Sequence, residues 1–204
     1  MKKLILHFVL IFLFVCQIGC DNNNNNRVNT YVDSIKNTKQ ISKDSIVNTY
    51  KYYFDNPLSE IKKQGWRRVV IDTVNDEFSV WIEAKFYLSD NEWIKIESEN
   101  INSSSASSLE TNTNYFLKDI PIKVGNEISS LLMKDSVEFN FDEQIFGLNI
   151  GLVQIKANCF NDIKEFEYDK ILEARETKNI MLLPNKIKNC KVATIRVLNL
   201  RRSN

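Results

Sequence analysis

From Phe78 to Leu88 the chain alternates. Phe78, Val80, Ile82, Ala84, Phe86 and Leu88 fall on one side, and Ser79, Trp81, Glu83, Lys85 and Tyr87 on the other. A period of two sends successive side chains to opposite faces, so this stretch predicts a strand with one dry face. Ser89-Asp90-Asn91 turns the chain, and Ile94 and Ile96 carry the dry face onto the next strand. Two registers keep those faces aligned. Pairing Leu88 with Glu92 sets Lys85 opposite Lys95 and Glu83 opposite Glu97. Pairing Leu88 with Ile94 sets Lys85 opposite Glu97 and Tyr87 beside Lys95. Like charges directly opposite destabilise a ladder, which favours the second register, with residues 89 to 93 as the loop.

Before this hairpin the period is helical. Ile46, Tyr50, Tyr53, Phe54 and Ile61 recur at helix spacing, with Lys51 and Lys62 on other faces. Asp44 is the expected N-cap of a helix running through Phe54. Asn56-Pro57 breaks it, and Pro57 opens a second short turn that ends at Gly65. The aromatic stripe is expected to pack on a sheet.

After the hairpin the signals are shorter. Asn102 to Asn114 is rich in Ser, Asn and Thr and reads as a loop. Tyr115 to Ile122 reads as a strand demoted by Pro121 to an edge or a strand end. Gly125 to Met133 predicts a short helix carrying Ile128, Leu131 and Leu132. Val137, Phe139 and Phe141 alternate, and Phe146 to Phe160 reads as one longer apolar strand. Phe166 to Leu172, Ile180 to Leu183 and Val192 to Leu200 all read as strand-like. Many short strands with little helix predict a mainly β fold, with α+β as its neighbour. The expected architecture is an antiparallel sheet or sandwich with an N-terminal amphipathic helix packed on it. A single globular domain is expected from 44 to 204.

The first 43 residues are of another kind. Lys2 and Lys3 precede an apolar run from Leu4 to Val15, followed by Gln17-Ile18-Gly19-Cys20 and the polar run Asp21 to Asn26. A charged start, a short apolar core and a small residue before a cut form an export signal. The core is shorter than the roughly 20 apolar residues that a membrane span needs. The end of this run resembles the lipobox of bacterial lipoproteins, in which the cut falls before a cysteine that carries a diacylglycerol. The resemblance implies residues 1–19 as signal peptide and Cys20 as the lipidated residue, with Gly19 as the small residue before it. Gln17 stands where Leu is favoured. Cys16 is the rival, with Leu13 at the right distance but bulky Val15 before it. The resemblance covers the leader alone. Residues 20 to 43, Asn-rich and poor in large apolar side chains, are expected to form a tether.

Composition narrows the chemistry. A net charge of +1 over 204 residues argues against a dedicated nucleic-acid partner. With Cys16 in the leader and Cys20 lipidated, Cys159 and Cys190 remain. In an oxidising envelope they are expected to form a disulfide. His7 is the one histidine and lies in the leader, so a mature chain has no His-based nucleophile and no histidine zinc site. No metal or cofactor is expected. Ser59-Glu60-Ile61-Lys62 resembles the S-x-x-K of penicillin-binding proteins and class A β-lactamases, but the S-D-N and K-T-G companions are absent, and the stretch reads as an exposed helical turn.

Carboxylates remain as candidates for acid–base work: Asp72, Asp76 and Glu77; Asp142 and Glu143; Asp162, Glu165, Glu167 and Asp169. The last three alternate with apolar residues and read as a solvated strand face. Asp72 to Glu77 is also a candidate for calcium, without the EF-hand spacing. Lys186, Lys188, Lys191, Arg196, Arg201 and Arg202 form a basic run near the end. Trp66, Trp81, Trp93 and Tyr87 are candidates for an aromatic binding face, with Trp81 and Tyr87 on the wetter side of their strand. Together these features predict a lipid-anchored envelope protein that binds a protein or another envelope component and is not an enzyme. The alternatives are an immunity or inhibitor lipoprotein that blocks a toxin or hydrolase, and a small carboxylate-based hydrolase.

Overall fold

The structure is a computed structural model, described for residues 27–33, 45–102, 106–142 and 145–199. The leader, Cys20 and Asp44 lie outside the described residues. Among the described residues, nine antiparallel strands form one sheet in the order β1-β2-β3-β4-β5-β9-β8-β7-β6. They are β1 (Arg27–Asp33), β2 (Arg68–Asn75), β3 (Val80–Tyr87), β4 (Trp93–Ser98), β5 (Ala106–Thr111), β6 (Glu138–Asp142), β7 (Ile145–Ile150), β8 (Val153–Lys156) and β9 (Thr194–Leu198). The fold is mainly β, and its strands make one sheet rather than a sandwich.

The dry face is continuous from strand to strand. Val69 pairs with Phe86, Phe86 with Ile94, Ile96 with Leu109, Leu109 with Val197, and Val197 with Val153. All of these are buried. Short helices and coil cover this face: α1 (Tyr50–Asp55), α2 (Leu58–Ile61), α3 (Ile128–Leu132), α4 (Glu165–Glu176) and α5 (Asn185–Lys188). Tyr53, Trp66, Phe86 and Phe116 interlock at the centre, with ring centroids 5.4 Å apart for Tyr53–Phe116 and 5.0 Å for Trp66–Phe86. The Trp66 indole N–H donates to the Ile61 carbonyl at 2.7 Å, and the Tyr53 hydroxyl donates to the Val47 carbonyl, so both polar tips are satisfied inside the core. Burial holds the Tyr53 hydroxyl far above the ordinary tyrosine pKa. A second cluster joins Phe146, Phe160 and Tyr168 under β6 and β7. Beside it, Cys159 and Cys190 form a disulfide with their Cα atoms 6.2 Å apart.

Several elements depart from the sequence reading. The helix through Phe54 begins at Tyr50, with Thr49 at its N-cap position. Arg27–Asp33, inside the segment expected to be tether, is a strand on β2. Its Val28, Thr30 and Val32 have the β-branched alternation that a strand favours. Ala106–Thr111, inside the expected loop, is a central strand built largely from hydroxyl residues. Thr111 Oγ1 donates to the Trp93 carbonyl at 2.6 Å, and Ser107 Oγ to the Glu97 carbonyl at 3.2 Å. Such bonds let small polar residues sit in a ladder. The expected strand at 115–122 is instead a 3-10 turn at Asn114–Phe116 followed by coil.

The expected long strand 146–160 is the β7–β8 hairpin, reversed at Gly151, whose φ of 54° suits a residue without Cβ. Phe166–Leu172 lies within helix α4, not a strand. Ile171 and Ala174 are its buried residues, at i, i+3 spacing, and Glu165 and Glu167 sit in its first turn, where the helix dipole favours acids. Ile180–Leu182 is a 3-10 turn.

Candidate binding face

The helices and coil pack on one face of the sheet, and the side chains of alternate parity form the other face. That open face carries Glu83, Lys85 and Tyr87 from β3, Trp93, Lys95 and Glu97 from β4, Glu110 from β5, and Arg196 from β9. The register that positions them is the one that charge pairing disfavoured: Lys85 opposite Lys95, Glu83 opposite Glu97, Tyr87 opposite Trp93. Two strands alone set like charges face to face, and charges from five strands, β3, β4, β5, β8 and β9, settle them. Lys95 Nζ lies 3.6 Å from Glu83, 3.3 Å from Glu97 and 3.8 Å from Glu110. Glu97 also accepts from Arg196 and, at 2.8 Å, from Ser108 Oγ. Glu110 accepts from Lys156 Nζ at 3.0 Å and Thr194 Oγ1 at 2.9 Å. Lys95 thus bridges the facing Glu83 and Glu97 and is itself held by three glutamates, while Lys85 turns to the Trp93 ring. The tight turn closes as the Leu88 N–H donates to the Glu92 carbonyl at 2.9 Å.

Glu110 is the most enclosed member of this grid, its side chain 8% exposed. Burial pushes its carboxyl upward, but the hydrogen bond and charge of Lys156, with Thr194 and Lys95, outweigh that and hold it below the ordinary glutamate value. A glycosidase-type acid needs the reverse shift, and Glu110 is held as an ion-paired member of the grid.

At one end of the face the lattice gives way to aromatics. Lys85 Nζ sits 4.0 Å from the Trp93 ring centroid, and the Arg68 guanidinium 3.8 Å from that of Tyr87. Among the described residues, no carboxylate lies within ion-pair distance of Arg68 or Lys85. Loops fix this corner. The Trp93 N–H donates to Asn112 Oδ1 at 2.9 Å, Asn112 Nδ2 donates to the Asn91 carbonyl at 2.6 Å, and Arg67 pairs with Asp90 at 2.9 Å. Two cations lying on two rings, with no acid among the described residues to neutralise them, make a corner suited to an anionic group on a flat ligand.

The candidate residues sort unevenly onto this frame. Tyr87 and Trp93 are half-buried members of the corner. Trp81 is also half-buried on the open face but stands at the other end of β3, opposite Val74. Trp66 is 2% exposed and belongs to the core, not to an aromatic face. The basic run is dispersed: Lys186 pairs with Glu167 at 2.7 Å, Lys188 donates to the Met181 carbonyl at 2.8 Å, and Arg196 serves the grid. Arg201 and Arg202 lie outside the described residues.

Glu165, Glu167 and Asp169 are helical rather than on a strand face. Asp76 caps a turn, its carboxylate accepting from the N–H groups of Phe78 at 2.9 Å and Ser79 at 2.6 Å. Among the described residues no cluster of His, Cys, Asp or Glu has the make-up of a metal site. Arg68 escaped the sequence reading, because its place beside Tyr87 follows only from the β2–β3 register.

In class, then, the molecule is an antiparallel sheet layered on one side, with a charged and aromatic face on the other. No family model matches the chain, and neither the curated proteins nor the solved structures yielded a match.

Proposed function

We propose that the chain is a lipid-anchored envelope protein whose folded domain is a binding module on the outer side of a bacterial membrane. The leader and Cys20 support the anchor, since two or three acyl chains hold a protein on a bilayer stably. The observation that carries the binding role is the corner of Arg68, Tyr87, Lys85 and Trp93, where two cations rest on aromatic rings without an acidic partner among the described residues. Its partner is an anionic segment of another envelope component. The face works by recognition: its described carboxylates are tied up in ion pairs, and its cations at the corner are not.

A photo-crosslinking residue placed at Tyr87 in the native host tests this. The expected result is a discrete adduct that disappears when Lys85→Glu and Arg68→Glu are added. An adduct indifferent to both charge reversals, or none at Tyr87, overturns the assignment of the corner. The anchor is tested separately by labelled palmitate, which should enter the wild type and not Cys20→Ser.

A further inference from the structure

The strand order gives the two ends of the open face different surroundings. β1 runs antiparallel to β2 with Arg27 opposite Val74, and Asn75 pairs with Val80 across the next hairpin. The chain therefore enters the described fold beside the β2–β3 turn. Cys20 is seven residues before Arg27, a reach of at most about 25 Å at full extension. Whatever surface holds Cys20 must lie close to that turn.

The turn is unusual for a solvent-facing hairpin. Phe78 is 92% exposed at its tip and Val80 is 61% exposed beside it. Trp81, half-buried, follows on the neighbouring face. The tip is also held in shape. The Asp76 carboxylate binds the N–H groups of Phe78 and Ser79 and the Ser79 hydroxyl, and the Asp76 N–H donates to the Ser79 carbonyl at 3.0 Å. One exposed apolar residue is ordinary on a protein surface. An aromatic on a braced turn beside the point where a lipidated tether arrives is a different matter.

We infer that the β2–β3 turn dips into the lipid interface, with Phe78 and Val80 entering the acyl boundary and Trp81 at headgroup level. This deepens the proposed function and rests on its lipid anchor. Trp favours headgroup depth because one part of its ring system is apolar and another polar, while Phe and Val gain by leaving water for the acyl boundary. The carboxylates of Asp76 and Glu77 flank the tip, so contact is driven by apolar burial and not by attraction to anionic lipid. It is therefore insensitive to salt. Docked this way, β3 stands away from the bilayer, and its six steps from Trp81 to Tyr87 lift the aromatic corner about 20 Å further out. The membrane contact and the partner site then occupy opposite ends of one strand.

The test uses the full lipidated protein with Phe78→Cys carrying an environment-sensitive thiol probe, reconstituted in phosphatidylcholine vesicles that contain doxyl-labelled lipid. With Cys159 and Cys190 in a disulfide and Cys20 acylated, position 78 offers the free thiol. Phe166→Cys, at an exposed aromatic position on α4, is the reference. The expected result is a blue-shifted probe at 78 that loses most of its emission to the doxyl lipid at low and high salt, while the probe at 166 does neither. A probe at 78 that remains water-exposed on protein floating with the vesicles overturns the insertion and leaves the anchor standing. A probe at 78 already shielded without vesicles points to a protein contact and overturns it as well. Wild type that takes up the thiol probe, or fails to float, reveals an unacylated Cys20 and removes the anchor and this inference together.

Discussion

The two faces of the sheet solve the same pairing problem by different physics. At β3–β4 the dry side sets Phe86 opposite Ile94, and one residue along, the open side sets Lys85 opposite Lys95. The first pair gains by leaving water. The second would repel if it stood alone, and it is tolerated because Lys95 has three glutamates around it and Lys85 turns to Trp93. Hydrocarbon contacts are local and additive enough to read in pairs. Charges on a sheet are shared across strands, so their sum needs the whole strand order.

Four experiments sharpen or break this contrast. Phe86→Ala should cost about 3–5 kcal/mol by urea unfolding, the cost of an aromatic truncated in a closed core; a loss under 1 kcal/mol would mean the dry face does not dominate. Reducing Cys159–Cys190, which closes a loop spanning 31 positions, should cost about 3–4 kcal/mol by loop entropy and lower the melting temperature. An unchanged transition would show that the loop is already constrained when unfolded. Glu110→Gln should cost about 1–2 kcal/mol, discounted because Lys95 and Lys156 are partly solvated.

The Glu110 effect depends on pH. The folded carboxyl titrates below its ordinary 4.5, so its stabilisation is complete at neutral pH and drains away as pH falls below that value. Glu110→Gln should therefore flatten the acid arm of stability against pH, and a steeper arm would reverse the sign of the lattice. Lys85→Ala should change stability by about 1 kcal/mol or less while abolishing the crosslink from Tyr87. Losing the fold instead would make the corner structural.

What the sequence shows follows the same divide. The dry alternation from Ile82 to Phe86 and on to Ile94 and Ile96 is a two-residue pattern of hydrocarbon, and it reads directly. So does the helix around Ile128 and Leu131. β5 did not read, because Ser107, Ser108 and Thr111 earn their places through bonds to a strand whose position the sequence does not give. α4 did not read because Glu165, Glu167 and Asp169 alternate with apolar neighbours over its first turn, while the burial of Ile171 and Ala174 emerges only further along. Of the candidate site, Tyr87 was legible from its parity on β3. Arg68 and the exclusion of Trp66 required the fold.

The bond between Cys159 and Cys190 has a consequence for damage. It fastens the segment after β8 to the segment before β9, two strands that are neighbours in the sheet, so everything between them, including α4 and α5, is a closed excursion. A protease that nicks this excursion frees no fragment, since both cut ends remain covalently tied beside their own strands. The clipped protein would run as one band until a reductant splits it in two.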